Sequence, residues 1–133
     1  MTNKSRVQKK LILMLGVILI MAFSCARAGG RTIRAGNDGD QIELRQGQVL
    51  AVSLEGNPST GYTWEPVGLD EQVLRQIGKP VFTPESDVPG SSGTQIIRFR
   101  AAGEGATTLR LVYHRPWEEA EPERTFSVDV VVY

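Results

Sequence analysis

Two residue types suited to nucleophilic or general-base work at neutral pH occur once each in this 133-residue chain, as Cys25 and His114. A lone Cys excludes an internal disulfide framework and any multi-Cys zinc site, and a lone His excludes two-His metal motifs. A Ser–His–Asp site would need His114 beside one particular serine, and no nucleophile-elbow pattern is present. His114 reads as a strand-end residue. Composition alone leaves a two-carboxylate hydrolase open, because Glu118, Glu119, Glu121 and Glu123 lie close together. Their segment contains Pro122 and reads better as a solvated loop, with weak Ca²⁺ binding as a minor alternative. The inventory points away from an enzyme, and no cofactor or metal is expected.

The lone Cys sits in a segment with a different purpose. Residues 1–28 hold Lys4, Arg6, Lys9, Lys10 and Arg27 and no acid, and an apolar run spans 11–23. That run is shorter than the ~20 residues a membrane-spanning helix needs, and it suits the hydrophobic part of a secretion signal. Two endings compete. Ala22-Phe23-Ser24-Cys25 is like a bacterial lipobox, cleaved before Cys25 so that the thiol carries lipid, although Phe23 is bulky and Ala22 replaces the usual Leu. Ala26-Arg27-Ala28 offers an ordinary small-x-small cleavage site before Gly29. The first ending is favoured because the only Cys directly follows the apolar run. Either way residues 29–133 are expected outside the cytoplasm: periplasmic or at the cell surface, membrane-anchored if Cys25 is lipidated, otherwise secreted.

Removing the signal changes the charge. The whole chain balances 15 Lys and Arg against 15 Asp and Glu; without residues 1–28 ten cations face fifteen acids, a net of −5. With cleavage before Cys25, Arg27 stays and the net is −4. A mildly acidic domain gives no electrostatic case for a nucleic-acid partner.

From about residue 30 the chain reads as one all-β domain. Short alternating runs are separated by turn residues, and no helical period is evident. Residues 41–45 alternate; 48–54 place Leu50, Val52 and Leu54 on one face; 62–65 form a third run between Gly61 and Pro66. Residues 94–102 and 107–113 are expected to pair across Gly103-Glu104-Gly105, and 70–77 is a helical turn or an irregular strand. Phe126, Val128, Val130 and Val132 form the clearest inward row. About seven such strands predict an antiparallel β-sandwich.

Three loops stand out. In Asn57-Pro58-Ser59-Thr60-Gly61-Tyr62-Thr63-Trp64, Pro58 fixes φ, Gly61 permits positive φ, and Asn57 and Ser59 can bond nearby backbone. The plain reading is a stiff hairpin turn with Trp64 in the core. Pro89-Gly90-Ser91-Ser92-Gly93 precedes Thr94 and is either a flexible connection or a place of close backbone approach; no phosphate-loop Lys follows. His114-Arg115-Pro116-Trp117-Glu118 sets an Arg and an aromatic on a stiffened turn, suited to an interface or to packing on a sheet edge.

Together these patterns resemble the chagasin-like inhibitors of papain-type cysteine proteases. The resemblance rests on Asn57-Pro58-Ser59-Thr60-Gly61-Tyr62-x-Trp64, on Gly90-x-x-Gly93-Thr94 with Phe99, and on Arg115-Pro116-Trp117, and it covers about 38–133. Ser92 stands where the family pattern has Gly. The resemblance implies an immunoglobulin-like sandwich with the three loops at one end as a wedge. Thr60 would lie nearest the protease's Cys–His dyad, flanked by Asn57, Pro58, Ser59, Gly61 and Tyr62. Gly90, Ser91, Ser92, Gly93 and Thr94 would lie along the non-primed subsites. Arg115, Pro116 and Trp117 would grip the primed side. The expected function is reversible, tight-binding inhibition by a monomer whose partner is a papain-like cysteine protease. The rival reading is an immunoglobulin-like adhesion or ligand-binding module tethered to a surface.

Overall fold

The computed structural model describes residues 29–133. The signal segment, its cleavage sites and the lipidation expected at Cys25 lie outside the described residues. Strict two-residue alternation drives the architecture, because a half-buried strand sends every second side chain into the core. Nine strands result among the described residues: β1 (Arg31–Arg34), β2 (Gln41–Leu44), β3 (Val49–Gly56), β4 (Thr63–Val67), β5 (Leu74–Gln76), β6 (Val81–Pro84), β7 (Gly93–Ala101), β8 (Gly105–His114) and β9 (Arg124–Val132). One sheet has the order β1-β3-β7-β5 with β6 also on β7; the other runs β2-β9-β8-β4. Leu50, Val52 and Leu54 face Leu109, Leu111, Phe126, Val128 and Val130 in a single core. Burying each such side chain contributes about 1.5–3 kcal/mol.

The all-β sandwich stands, with more strands than the seven expected; β5 and β6 are short segments of three and four residues. Two edge pairings, β1 with β3 and β2 with β9, are parallel. They arise because the chain leaves one sheet after β1, turns through a 3-10 turn at Ala35–Asn37, and joins the other sheet as β2.

The hairpin expected across residues 103–105 does not form. β7 and β8 belong to opposite sheets. Both carry an inward apolar row, Ile97, Phe99 and Ala101 against Leu109, Leu111 and Tyr113, so they bury these rows by facing each other across the core. Ala101 N donates to Gln48 O and Ala102 N to Val73 O, which holds the end of β7 in its own sheet. The 57–62 segment likewise crosses between sheets and is no hairpin, although Trp64 is buried as expected. Residues 70–77 combine both readings: Val73 N and Leu74 N bond Asp70 O in one turn, and β5 follows.

Candidate functional site

The 57–62 loop builds its shape from its own side chains. Asn57 precedes a 3-10 turn at Pro58–Thr60, and its Oδ1 accepts from Ser59 N at 3.1 Å and Ser59 Oγ at 2.5 Å. Pro58 takes the first turn position, where the lost N–H is harmless. Thr60 Oγ1 donates to Asn57 O at 2.6 Å, and Gly61 closes the turn at φ 82°. A side chain at Gly61 would also collide with the Trp117 ring, whose Cζ2 lies 2.9 Å from the Cβ position.

The second loop is longer than the glycine pattern suggested. It runs from the end of β6 to β7, closed by Glu85 N to Ser92 O at 2.9 Å and pinned inside by Ser91 Oγ to Ser86 O at 3.0 Å. Gly90 adopts φ 80°, and Ser91 and Ser92 are half-buried. Gly93 and Thr94 are the first residues of β7. Gly93 is buried, and a Cβ there would press on Thr83 O and on Pro84 Cα at 2.7 Å. Its bare backbone serves the β6–β7 packing.

The third loop is a turn closed by Glu118 N to Arg115 O at 3.0 Å. Arg115 joins it to the first loop: its Nε donates to Thr60 O at 3.0 Å, and its guanidinium lies 4.6 Å from the Tyr62 ring centroid. Nη1 donates to Glu118 Oε1 at 3.1 Å. Trp117 is 69% exposed, yet one edge of its indole rests on Gly61. The packing alternative for Trp117 thus takes a specific form, contact with the neighbouring loop at Gly61.

The loops are joined at one end of the sandwich. Asn57 Nδ2 donates to Gly90 O at 3.0 Å, tying the first loop to the second as Arg115 ties it to the third. Beneath them Tyr62 stacks on Tyr113 at 5.3 Å, and Trp64 tilts against Tyr113 at 5.1 Å. Tyr113 Oη accepts from Asn57 N at 2.9 Å. The Arg124 guanidinium lies over Tyr113 at 4.3 Å and donates to Glu55 O at 3.0 Å. An open recess of about 300 Å³ between the first and third loops is lined by Thr60, Tyr62, Tyr113, Arg115 and Arg124, among others.

The residues expected in the three loops fall at this end, in the loops or at the root of β7; Cys25 lies outside the described residues. Sequence reasoning missed Val88, 67% exposed at the second loop's tip, and the supporting Gln95, Tyr113 and Arg124. Val88 had a signal, an isolated apolar residue in a Ser, Asp, Pro and Gly stretch. The other three did not, since their partners lie far away in sequence. His114 ends β8 and bonds Glu65 Oε2 at 2.8 Å, outside the recess. The site offers shape, backbone groups and anchored aromatics. It can bind; it holds no nucleophile poised beside a base.

Comparison with known proteins agrees with this architecture. Residues 43–130 match the model of the Chagasin family peptidase inhibitor I42. Amoebiasin-1 of Entamoeba histolytica is 29% identical over 96 residues, 72% of this chain and 93% of that protein. The fold is similar to the crystal structure of a cysteine protease inhibitor from Entamoeba histolytica, with TM-score 0.68, 23% identity, and coverage of 78% of this chain and 96% of that one. It is also similar to PbICP-C, solved in complex with falcipain-2, with TM-score 0.53, 19% identity, and coverage of 78% and 100%. The chain belongs to the chagasin family of peptidase inhibitors.

Proposed function

We propose that this inhibitor inserts its three-loop end into the active-site cleft of a papain-like cysteine protease and blocks it reversibly, without being cut. The observation that carries the proposal is the mutual locking of the loops, Asn57 to Gly90 and Arg115 to Thr60, at one end of a rigid sandwich. Pre-stiffened loops lose little entropy on docking, which favours tight binding. Scission requires an extended segment with its carbonyl against the nucleophile. The turn at Pro58–Thr60, closed by Gly61, holds the chain away from that geometry.

In this reading Thr60 lies nearest the protease dyad, with Asn57, Pro58, Ser59, Gly61 and Tyr62 shaping the tip. Gly90, Ser91, Ser92 and Thr94 follow the non-primed side, and Gly93 acts from within by fixing the loop root. Arg115, Pro116 and Trp117 hold the primed side, where the exposed indole supplies the anchor. Family membership supports the partner class, and PbICP-C, similar in fold, was solved in complex with falcipain-2. The inhibitor acts as an exported monomer, tethered through lipid on Cys25. The position of Gly29 supports such a tether: its carbonyl accepts from Gln48 Nε2 at 3.1 Å, just before β3, at the end opposite the loops.

The test is to titrate residues 29–133 against papain and a cathepsin-type protease. The expected result is a linear loss of activity to zero at equimolar inhibitor, regained on dissociation. No inhibition at micromolar inhibitor overturns the proposal for these enzymes and favours the adhesion-module reading.

A further inference from the structure

Along β7 the inward positions read Gln95, Ile97, Phe99 and Ala101. An apolar residue at 95 would continue the row. Gln95 is instead the one polar residue buried among the described residues. A buried amide is tolerated only when its hydrogen-bonding groups are met. Here the partners come from the opposite sheet. Gln95 Oε1 accepts from Trp64 N at 3.1 Å, and Nε2 donates to Trp64 O at 3.1 Å and to Thr63 Oγ1 at 3.2 Å. β4 is the edge strand of its sheet, so one side of its backbone has no strand neighbour. The Gln95 amide supplies the donor and acceptor that a neighbouring strand would.

The location gives this clamp its consequence. Trp64 lies two residues beyond Tyr62, the last residue of the first loop, and Gln95 two residues beyond Gly93, the root of the second. We infer that Gln95 is a positioning residue for inhibition: its amide fixes the height of the 57–62 loop relative to the 86–92 loop by joining their roots. The inference rests on the proposed function above and extends it to a residue that contributes through the loops. A rigid wedge matched to a cleft depends on relative loop height, so a small slip at the roots misplaces Thr60 against Gly90. The Asn57–Gly90 bond at the tip then spans a fixed gap.

The experiment compares three variants of residues 29–133, which hold all the core residues described above. Gln95→Leu removes the amide but keeps an apolar body, Gln95→Asn leaves it one methylene short of Trp64, and Gln95→Glu retains an acceptor for Trp64 N. Leu54→Ala is the control: Leu54 is directly opposite Gln95 on β3 and buried, without a bond to either loop. Inhibition is measured well below each melting temperature, together with amide exchange at Trp64, Thr60 and Ser91. Gln95→Leu and Gln95→Asn are expected to weaken inhibition about tenfold or more and to speed exchange at Trp64 and Thr60. Gln95→Glu should recover none of the loss, because its second oxygen, an acceptor, would face Trp64 O in place of the Nε2 donor. Leu54→Ala should lower the melting temperature at least as far and leave inhibition unchanged. Wild-type inhibition by Gln95→Leu or Gln95→Asn overturns the inference, as does an equal loss in Leu54→Ala. A wild type that inhibits no papain-like enzyme overturns the functional reading alone; the exchange rates at Thr60 and Ser91 then still decide whether Gln95 holds the loops.

Discussion

At the end of the sandwich where β1 begins, main-chain bonds do most of the joining, helped by Gln46 Nε2 to Ala102 O at 3.2 Å and Gln48 Nε2 to Gly29 O at 3.1 Å. Gln46 N reaches Tyr133 O at 3.0 Å, Gly47 N reaches Ala101 O at 2.8 Å, and Tyr133 N reaches Leu44 O at 3.0 Å. At the loop end side chains take over. Asn57, Gln95, Tyr113, Arg115 and Arg124 each bridge two segments distant in sequence. Main-chain closure tolerates many side chains and stabilises the domain. Side-chain closure demands particular residues, and it also holds three loops at fixed heights. Stability and inhibition should therefore separate along the long axis of the molecule.

The sharpest test of that division is Thr60→Arg. Thr60 is exposed at the tip, so the fold should survive, while inhibition should fall by roughly a hundredfold or more, as for a residue at the centre of an interface. An inhibition assay with a circular-dichroism melt checks both halves. Trp117→Ala comes next. Its exposed indole contributes little to stability, and inhibition should weaken about thirtyfold, corresponding to a ~2 kcal/mol anchor. Gly61→Ala crosses the divide: a positive φ and contact with Trp117 both resist a side chain. It should cost about 1–2 kcal/mol of stability and displace the indole, weakening inhibition several-fold. Tyr113→Phe removes the acceptor of Asn57 N and should cost about 1 kcal/mol, visible as faster Asn57 amide exchange with a small change in inhibition. The last variant belongs to the opposite end. At Gly103 a Cβ would lie 2.6 Å from Gln72 O, so Gly103→Ala should lower the melting temperature and leave inhibition untouched. Weakened inhibition in Gly103→Ala would break the division.

The same contrast explains what the sequence revealed. The loop end was legible because its local chemistry is written in consecutive residues: Asn57, Pro58, Thr60 and Gly61 bond within one turn. The inward rows of β3 and β9 were legible through their alternation. The 103–105 connection was misread because two alternating strands around a glycine-rich turn look alike whether they pair side by side or face across a core. Long-range bonds decided that choice, Ala101 N to Gln48 O and Ala102 N to Val73 O. Gln95 and Arg124 were missed for a related reason: each looks like an ordinary polar strand residue until its partner, 31 or 69 positions away, is placed beside it. Gly93 was read as part of the second loop, whereas it begins β7 and pairs with Pro84 of β6.

The central claim is that the side-chain-locked end alone meets the protease. Amide hydrogen exchange of residues 29–133, free and in equimolar mixture with papain, tests it most directly. New protection confined to residues 57–62, 86–92 and 115–118, with residues 45–48, 101–105 and 133 unchanged, is the predicted result. Protection on the sheet faces or at the opposite end, with those three loops exchanging as in the free protein, would contradict it.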